Sequence, residues 1–254
     1  MSVAAEWFSG VRYPILDRDA CGRHGVDPLK LLHDWRDDGL GFFQLRAKNI
    51  DADAYLALAS RLKEQAPSVH IIANDRLSVV SNNRGLFSGL HLGQEDLAGI
   101  RDNAVTAAEL RRLAADGFLL GLSTHNAAQL VEASRHMRDD RAAEFESTPW
   151  GAPGLWHYLA LGPCFETSSR SGPANPVLGV AGLRDCVKAL QKQRLAGQAG
   201  HVSRLVLIGG LNVERSRTVF REMAVDPGCQ VMVAAIEGAL DTRNWAQIGR
   251  ILAR

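Results

Sequence analysis

The stretch FFQLRAKNIDADAYLALASRLKEQAPSVHIIAND, residues 42–75, decides the fold class. It begins with a short apolar run, FFQLRAK (42–48), continues with an amphipathic pattern, DADAYLALASRLKEQ (51–65), and ends with a second apolar run, HIIAND (70–75). Two short β-rich runs on either side of a helical pattern are typical of a strand-helix-strand unit with parallel strands. The stretch therefore predicts an α/β fold.

The same alternation continues along the chain and gives eight strand candidates. The other six are YPILD (13–17), LFSGLHLG (86–93), FLLGLSTH (118–125), HYLALGP (157–163), RLVLIGGL (204–211) and QVMVAAI (230–236). Helical patterns lie between them, over 27–38, 103–117, 126–137, 183–193, 213–223 and 242–252, and only a short helix fits within 76–85. Eight such units in 254 residues match a TIM barrel better than an open doubly wound sheet. We therefore predict that residues 1–254 form a single (β/α)8 TIM-barrel domain.

One segment does not follow the alternation. Residues 139–156, DDRAAEFESTPWGAPGLW, are rich in charge, proline and glycine. We predict a surface insertion before the sixth strand, at the bottom face of the barrel, where a mobile loop or a subunit contact is the ordinary role.

Composition argues against several classes of protein. The chain has 29 basic and 28 acidic residues and no basic stripe, which argues against nucleic-acid or membrane-surface binding. Its cysteines, Cys21, Cys164, Cys186 and Cys229, lack metal-site spacing and fit a reducing compartment. No apolar run reaches the roughly 18 residues that span a bilayer, and the N-terminus lacks a signal-peptide pattern. We expect a cytoplasmic protein whose partners are small molecules.

Two carboxylates are the strongest chemical signal. Asp75 closes HIIAND, and Asp96 closes LHLGQED (90–96). On neighbouring parallel strands, about 4.8 Å apart, both side chains would reach one ion. Magnesium is usually bound by one or two carboxylates together with water and substrate phosphates, so the pair predicts a Mg²⁺ site. Taken singly, each Asp also fits the commoner role of capping a following helix or turn.

Other polar residues close the remaining strand candidates, and in a TIM barrel these ends converge on one mouth. Arg46 and Lys48, two positions apart, would point to the same face of an extended strand and suit an anionic ligand. Solvated side chains at a strand end are the plain alternative. Later strand candidates contribute Asn74, Gln94, Ser123 and His125.

Loops after the last strands offer phosphate-binding groups. The loop 163–179, PCFETSSRSGPANPVLG, carries Thr167, Ser169 and Arg170, and it fits either an active-site lid or a simple connection. Gly209-Gly210 would let backbone N–H groups approach a ligand, although tight packing alone also explains such a pair. Strand eight ends near Val233-Ala234. Loops seven and eight are the common phosphate site of this fold.

Taken in order, these residues resemble the thiamine phosphate synthase family and its sister group, the thiazole tautomerases. The resemblance extends from Tyr13 to about Leu252. Its markers are Gln44-Leu45-Arg46-Ala47-Lys48, Asn74-Asp75, His91-Leu92-Gly93-Gln94-Glu95-Asp96, Gly121-Leu122-Ser123-Thr124-His125, Leu161-Gly162-Pro163 followed by Thr167, and Ile208-Gly209-Gly210-Leu211. Several motifs in the family's order make the resemblance specific.

The resemblance implies an enzyme that joins an aminopyrimidine diphosphate to a thiazole phosphate and releases pyrophosphate with Mg²⁺ as cofactor. Asp75 and Asp96 would hold the magnesium. The implied substrate-binding residues are Gln44, Arg46, Lys48 and Asn74 for the pyrimidine, Ser123 for the leaving pyrophosphate, Thr167, Ser169, Gly210, Val233 and Ala234 for the thiazole phosphate, and Arg170 for both partners. The implied catalytic residues are Arg46, Lys48, Ser123 and Arg170. From the family we also expect a homo-oligomer.

Some residues depart from the family pattern and keep alternatives open. Ser169 and Arg170 stand where threonine and lysine are usual, Ala234 replaces a common serine, and His157 replaces an acidic residue. One alternative is a thiazole tautomerase with His125 as general acid and base. The other is a barrel that binds a phosphorylated thiazole or pyrimidine without turnover. The synthase is favoured because a tautomerase has no leaving group to explain the diphosphate-binding residues.

Overall fold

The computed structural model describes residues 8, 10–137, 154–167, 175–197, 199, 201–223 and 228–252. Within these residues, parallel strands form a closed barrel in chain order, with β8 paired to β1. The strands are β1 Arg12–Asp17, β2 Phe42–Arg46, β3 His70–Asn74, β4 Gly89–Leu92, β5 Leu119–Thr124, β6 Tyr158–Leu161, β7 Arg204–Ile208 and β8 Gln230–Ala235. The prediction of an α/β TIM barrel is confirmed.

Helices surround the barrel, and several of them begin at a side-chain cap. They are α1 Arg18–His24, α2 Pro28–Asp37, α3 Ala52–Gln65, α4 Leu77–Asn82, α5 Gln94–Arg101, α6 Ala104–Ala115, α7 Ala127–Ser134, α8 Gly179–Leu195, α9 Val213–Glu222, α10 Glu237–Leu240 and α11 Thr242–Leu252. A carboxylate or amide oxygen accepts the first free backbone N–H groups at Asp17, Asp27, Asp51, Asn103, Asn126 and Asn212. Such caps make the chain leave an extended strand or loop and turn into a helix at a defined residue.

Helices α1 and α5 do not appear in the sequence prediction. Helix α5 corrects the expectation that Asp96 closes a strand, because β4 ends at Leu92 and Asp96 lies in the first helical turn. A carboxylate there is favoured by the partial positive charge of the helix N-terminus. Both helices have only about two turns, which is too short for the helical period to emerge from the sequence.

The end of β2 also differs from the prediction. The strand stops at Arg46, and Lys48 lies in the turn that follows, so the two residues do not share one extended strand. Both still reach the same end of the barrel, because the turn is short and helix α3 starts at Ala52.

Side chains alternate between the barrel interior and the layer beneath the helices. The interior cluster consists of Phe8, Tyr13, Ile15, Phe42, Ile72, Leu119, Tyr158, Ala160, Val206, Met232 and Ala234. The ring of Phe8 lies 4.7 Å from that of Phe42 and 5.0 Å from that of Tyr158. Aromatic rings therefore fill the lower part of the barrel, and polar side chains occupy its C-terminal end.

The boundary of the expected insertion at 139–156 needs correction. Residues 139–153 lie outside the described part of the chain. Trp156 is buried and pairs with Met137 in a parallel bridge, and Leu155 N donates to His136 O. An indole gains from burial, so Trp156 belongs to the core rather than to a surface segment.

Cys21, Cys164, Cys186 and Cys229 are all free thiols, and burial raises the pKa of Cys164 to about 12. A thiol with a raised pKa is a poor nucleophile and metal ligand, in line with an inert role. In the described ranges, no helix has the length and apolar character needed to cross a membrane.

The interior packing predicts that Gly121→Ala destabilises the barrel. A Cβ at this position would lie 2.0 Å from Tyr158 Cζ, inside the barrel, so the ring or the strand would have to move. We expect the free energy of unfolding to fall by about 1–3 kcal/mol in urea denaturation. Gly99→Ala is the matched control, because Gly99 is at an exposed position of helix α5 and no atom lies within 4 Å of the added Cβ. It should be neutral or stabilising by up to about 1 kcal/mol; equal losses in both variants would contradict the packing argument.

Candidate active site

Asp75 lies at the barrel mouth, directly after β3. Its φ of 57° is in the left-handed region, which aspartate tolerates better than most residues with side chains. Asp75 N donates to His91 O at 2.9 Å, and Asp75 Oδ1 accepts from Gly93 N at 2.9 Å. The end of β4 therefore holds this carboxylate. The alternative that Asp75 caps the next helix is wrong, because Arg76 is the N-cap of α4 and makes no side-chain capping bond.

Asp96 comes to the same place from helix α5. A Cβ added to Gly93 would lie 3.1 Å from Asp96 Oδ2 and 3.7 Å from Asp75 Oδ1, so the two carboxylates flank one backbone position. Burial, followed by the charge of Asp75 and a hydrogen bond with it, raises the pKa of Asp96 to about 6, against a lowering contribution from Lys48. A cation would relieve this repulsion.

The pair fits a magnesium ion by its donor chemistry. Two carboxylates suit a hard cation that keeps waters and takes further oxygens from substrate phosphates. Among the described residues there is no group of three or more His, Cys, Asp or Glu side chains able to hold a metal. The candidate is thus a two-carboxylate site of the kind completed by substrate, not an all-protein cage.

Lys48 stands beside the carboxylates. Its Nζ lies 3.3 Å from Asp75 Oδ2, and its side chain is 53% exposed at the mouth. Arg76 Nη2 donates to Ala47 O at 2.9 Å and to Ile50 O at 2.8 Å, which ties down the turn that carries Lys48. The turn therefore presents an ammonium group next to two negative charges, where a magnesium-bound phosphate would lie.

Arg46 is at the same mouth but is paired. Its guanidinium donates to Asp17, the last residue of β1, which is almost fully buried. Asp17 was not among the predicted site residues. The sequence signal was present, since a carboxylate closes the run YPILD, but a following helix cap explained it equally well.

An interior hydrogen-bond chain links Gln44 and Asn74, two of the predicted pyrimidine-binding residues. Tyr13 Oη donates to Gln44 Oε1 at 2.9 Å, and Gln44 Nε2 donates to Asn74 Oδ1 at 2.5 Å. Asn74 Nδ2 in turn donates to Asp75 Oδ2. The chain connects the buried floor to the carboxylate pair and holds both amide side chains in one orientation.

His91 forms a second branch of this network. Its Nδ1 lies 3.0 Å from Tyr158 Oη and its Nε2 lies 2.9 Å from Ser123 Oγ, while Tyr158 Oη lies 2.6 Å from Tyr13 Oη. Burial lowers the pKa of His91 to about 4, so the imidazole is neutral at pH 7. Sequence reasoning assigned no role to His91, Tyr13 or Tyr158, although each lies in a strand candidate at a position that faces inward.

The other strand-end residues make backbone contacts. Gln94 Nε2 donates to Ser123 O, and His125 Nδ1 lies 2.6 Å from Gly162 O. These contacts join the ends of β4, β5 and β6. His125 therefore makes a structural contact between the ends of β5 and β6.

The loops that follow β6 and β7 are packed closely together. Gly209 and Gly210 have φ of 101° and 60°, and a Cβ on Gly210 would lie 2.3 Å from Glu166 O. Cys164 N and Phe165 N donate to Ile208 O and Gly209 O at 2.8 and 3.0 Å. Tight packing thus requires glycine at this pair, whether or not a phosphate binds there.

The predicted thiazole phosphate residues are only partly described. Thr167 is exposed and is the last residue of the loop after β6 that the structure describes before a gap. Ser169 and Arg170 lie outside the described residues. Val233 is buried in the outer layer, and its N–H donates to Val11 O at 2.8 Å. Ala234 faces the interior instead. The roles of these residues remain predictions.

The raised pKa of Asp96 predicts an unusual effect of Asp96→Asn on stability. The folded state raises this pKa from 3.8 to about 6. The contribution of protonated Asp96 to the free energy of unfolding is therefore fully present below about pH 4 and is lost as the pH rises through 6. Asparagine does not ionise. In metal-free buffer at pH 8, we expect the variant to be more stable than the wild type by about 1 kcal/mol, allowing for solvent screening.

Urea denaturation across pH 4–8 measures this difference, which should shrink to zero near the acid end. Glu95→Gln, on the exposed side of the same helical turn, is the matched control and should show no such trend. A less stable Asp96→Asn protein at pH 8 would show that the two carboxylates do not repel each other.

The chain is similar in sequence to known proteins of one family. A family model described as thiamine monophosphate synthase matches residues 12–233. A thiamine-phosphate synthase of Psychrobacter sp. is 28% identical over 239 residues, covering 93% of this chain and 92% of that protein. One from Koribacter versatilis is 29% identical over 211 residues, covering 82% and 78%.

Among solved structures, a thiamine phosphate pyrophosphorylase from Pyrococcus furiosus superposes with a TM-score of 0.62 at 18% identity, covering 96% of each chain. At that identity the likeness supports the fold. The family match runs from β1 into β8 and so includes the mouth residues from Asp17 to Ser123. The resemblance carried by the sequence motifs and the prediction of a transferase are confirmed. This chain belongs to the thiamine monophosphate synthase family.

Proposed function

We propose that the protein joins an aminopyrimidine, activated by a diphosphate on its methylene group, to a thiazole phosphate, giving thiamine phosphate and pyrophosphate. Family membership and the names of the relatives support this reaction. The single observation that carries it is the mouth arrangement, in which Asp75 and Asp96 lie together with Lys48 beside them. Two carboxylates with a lysine beside them suit a magnesium-bound diphosphate.

We infer that Asp75 and Asp96 hold Mg²⁺ together with the substrate diphosphate. When bound, the ion neutralises charge that develops on the leaving pyrophosphate. Lys48 and Arg46 add positive charge on the same side, and the Ser123 hydroxyl lies where it could donate to a phosphate oxygen. The contact of Ser123 with His91 keeps that hydroxyl in a fixed place at 2.9 Å from a neutral ring.

The reaction needs no general base. The bond from the methylene carbon to the diphosphate oxygen breaks and its electron pair leaves with pyrophosphate, while the electron-rich aminopyrimidine stabilises the methylene cation. The thiazole nitrogen then donates its lone pair to that carbon. The protein aligns two substrates, neutralises the leaving group and keeps out water that would trap the cation.

The two substrates occupy different parts of the mouth in this proposal. Gln44 and Asn74, fixed by their mutual hydrogen bond, would contact the pyrimidine above the aromatic floor. Thr167, Ser169, Gly210, Val233 and Ala234 would surround the thiazole phosphate, and Arg170 would touch both partners. The loop 163–179 would cover the site. A cytoplasmic location and a homo-oligomer remain predictions.

Pyrophosphate release tests the proposal. Purified protein is given both substrates with Mg²⁺, and Asp75→Asn and Asp96→Asn are compared with Glu95→Gln, the exposed neighbour. We expect kcat to fall at least about 100-fold in the two site variants, because the charge stabilisation supplied through a metal is worth several kcal/mol. The Glu95→Gln protein should retain wild-type rates, and a chelator should abolish release.

The outcome separates the alternatives. Binding of thiazole phosphate without pyrophosphate release would contradict the synthase and favour a binding barrel. Interconversion of thiazole phosphate isomers without the pyrimidine, lost in a His125→Ala variant, would favour a tautomerase.

A further inference from the structure

The carboxylate of Asp17 closes β1 directly opposite Arg46 on β2. The two residues are partners in the parallel register, and Ile15 and Tyr13, two and four positions earlier on β1, face the barrel interior. Asp17 therefore faces inward as well. It is 1% exposed, so it sits beneath the mouth rather than on its surface.

Each oxygen of the Asp17 carboxylate accepts a hydrogen bond, and the two donors belong to different elements. Oδ1 accepts from Ala20 N at 2.8 Å, which caps helix α1, and Oδ2 accepts from Arg46 Nη1. The side chain of Asp17 is 2% exposed and that of Arg46 is 18% exposed. The carboxylate of Asp17 therefore lies deeper in the barrel, and the guanidinium of Arg46 lies nearer the solvent.

Arg46 has more donors than this pair uses. A guanidinium carries five N–H donors in a rigid planar fork, so fixing one nitrogen restricts the direction of the others. Within the described residues, the structure records a hydrogen bond from this guanidinium to Asp17 and to no other group. Arg46 closes β2, the strand that pairs with β3 before Asp75, so an anion bound at this end of the barrel would receive the remaining donors.

We propose that Asp17 is a positioning residue: it holds the Arg46 guanidinium from below so that its remaining donors meet the substrate diphosphate. This inference rests on the proposed function, in which Arg46 binds that group. Asp17 touches no substrate and acts only through Arg46. Because the same carboxylate caps α1, it also fixes the start of the first helix after β1 relative to β2.

Asp17→Asn separates the two roles of this residue. Asparagine is as good an N-cap as aspartate, so its oxygen keeps the bond to Ala20 N and helix α1 persists. Its amide nitrogen then faces Arg46 and offers a donor where an acceptor is needed. We expect KM for the pyrimidine diphosphate to rise about tenfold, the scale of one charge-assisted hydrogen bond, with KM for the thiazole phosphate unchanged.

Asp27→Asn is the matched control for this exchange. Asp27 caps α2 by accepting from Leu29 N at 3.0 Å, and its exposed carboxylate has no arginine partner in the described contacts. Its variant should keep wild-type kinetics. Circular dichroism of both variants should match the wild type.

A double-mutant cycle with Arg46→Ala distinguishes positioning from a general structural role. If Asp17 acts through Arg46, adding Asp17→Asn to Arg46→Ala should raise KM for the pyrimidine diphosphate no further. If the two substitutions raise KM independently, so that their effects multiply, the inference is wrong. An equal rise in KM for both substrates would also overturn it.

Affinity for inorganic pyrophosphate with Mg²⁺, measured by calorimetry, tests Asp17 without turnover. We expect Asp17→Asn to weaken it about tenfold and Asp27→Asn to leave it unchanged. If the wild type releases no pyrophosphate from the substrates but binds it, the proposed function fails while this comparison still decides the role of Asp17. Unchanged affinity in Asp17→Asn would overturn the inference alone, and a wild type that neither reacts nor binds would overturn both.

Discussion

The pairing of β8 with β1 is the constraint on which the site depends. Arg12, Tyr13 and Pro14 lie opposite Val233, Ala234 and Ala235, and this register closes the sheet. In a closed parallel barrel every strand ends on the same side, so residues far apart in the chain meet in one ring. Without closure, β1 and β8 would be edge strands, and the loops that follow them would not lie side by side at the mouth.

Closure also divides the interior into two levels with different chemistry. Aromatic rings, with Phe8 among them, occupy the lower level, where apolar burial is favourable. The upper level holds polar side chains that bond to one another, since an unpaired polar group there would cost free energy. Gln44, Asn74 and His91 each have a partner in this level. A rigid polar layer above an apolar floor is well suited to hold a flat heterocycle beneath a charged group.

Electrostatics at the mouth follows from the same geometry. Negative charge is concentrated at Asp75 and Asp96, and positive charge comes from Arg46 at the end of β2 and from Lys48 in the turn that follows it. Burial and the repulsion within the carboxylate pair raise the pKa of Asp96, and Asp17 compensates the charge of Arg46 from below. A site built this way gains most when an anion and a cation bind together, as a magnesium diphosphate does.

Periods of two and 3.6 residues reflect which face of a strand or helix is buried, so the sequence alone predicts the order and type of most elements. It also identified Asp75, Asp96, Arg46 and Lys48 as residues of one mouth. The approach of Asp96 from a helix, the departure of Lys48 from the strand and the pairing of Asp17 with Arg46 became evident only in the folded barrel. Such contacts depend on strand register and barrel closure, which join residues whose separation in the chain carries no periodic signal.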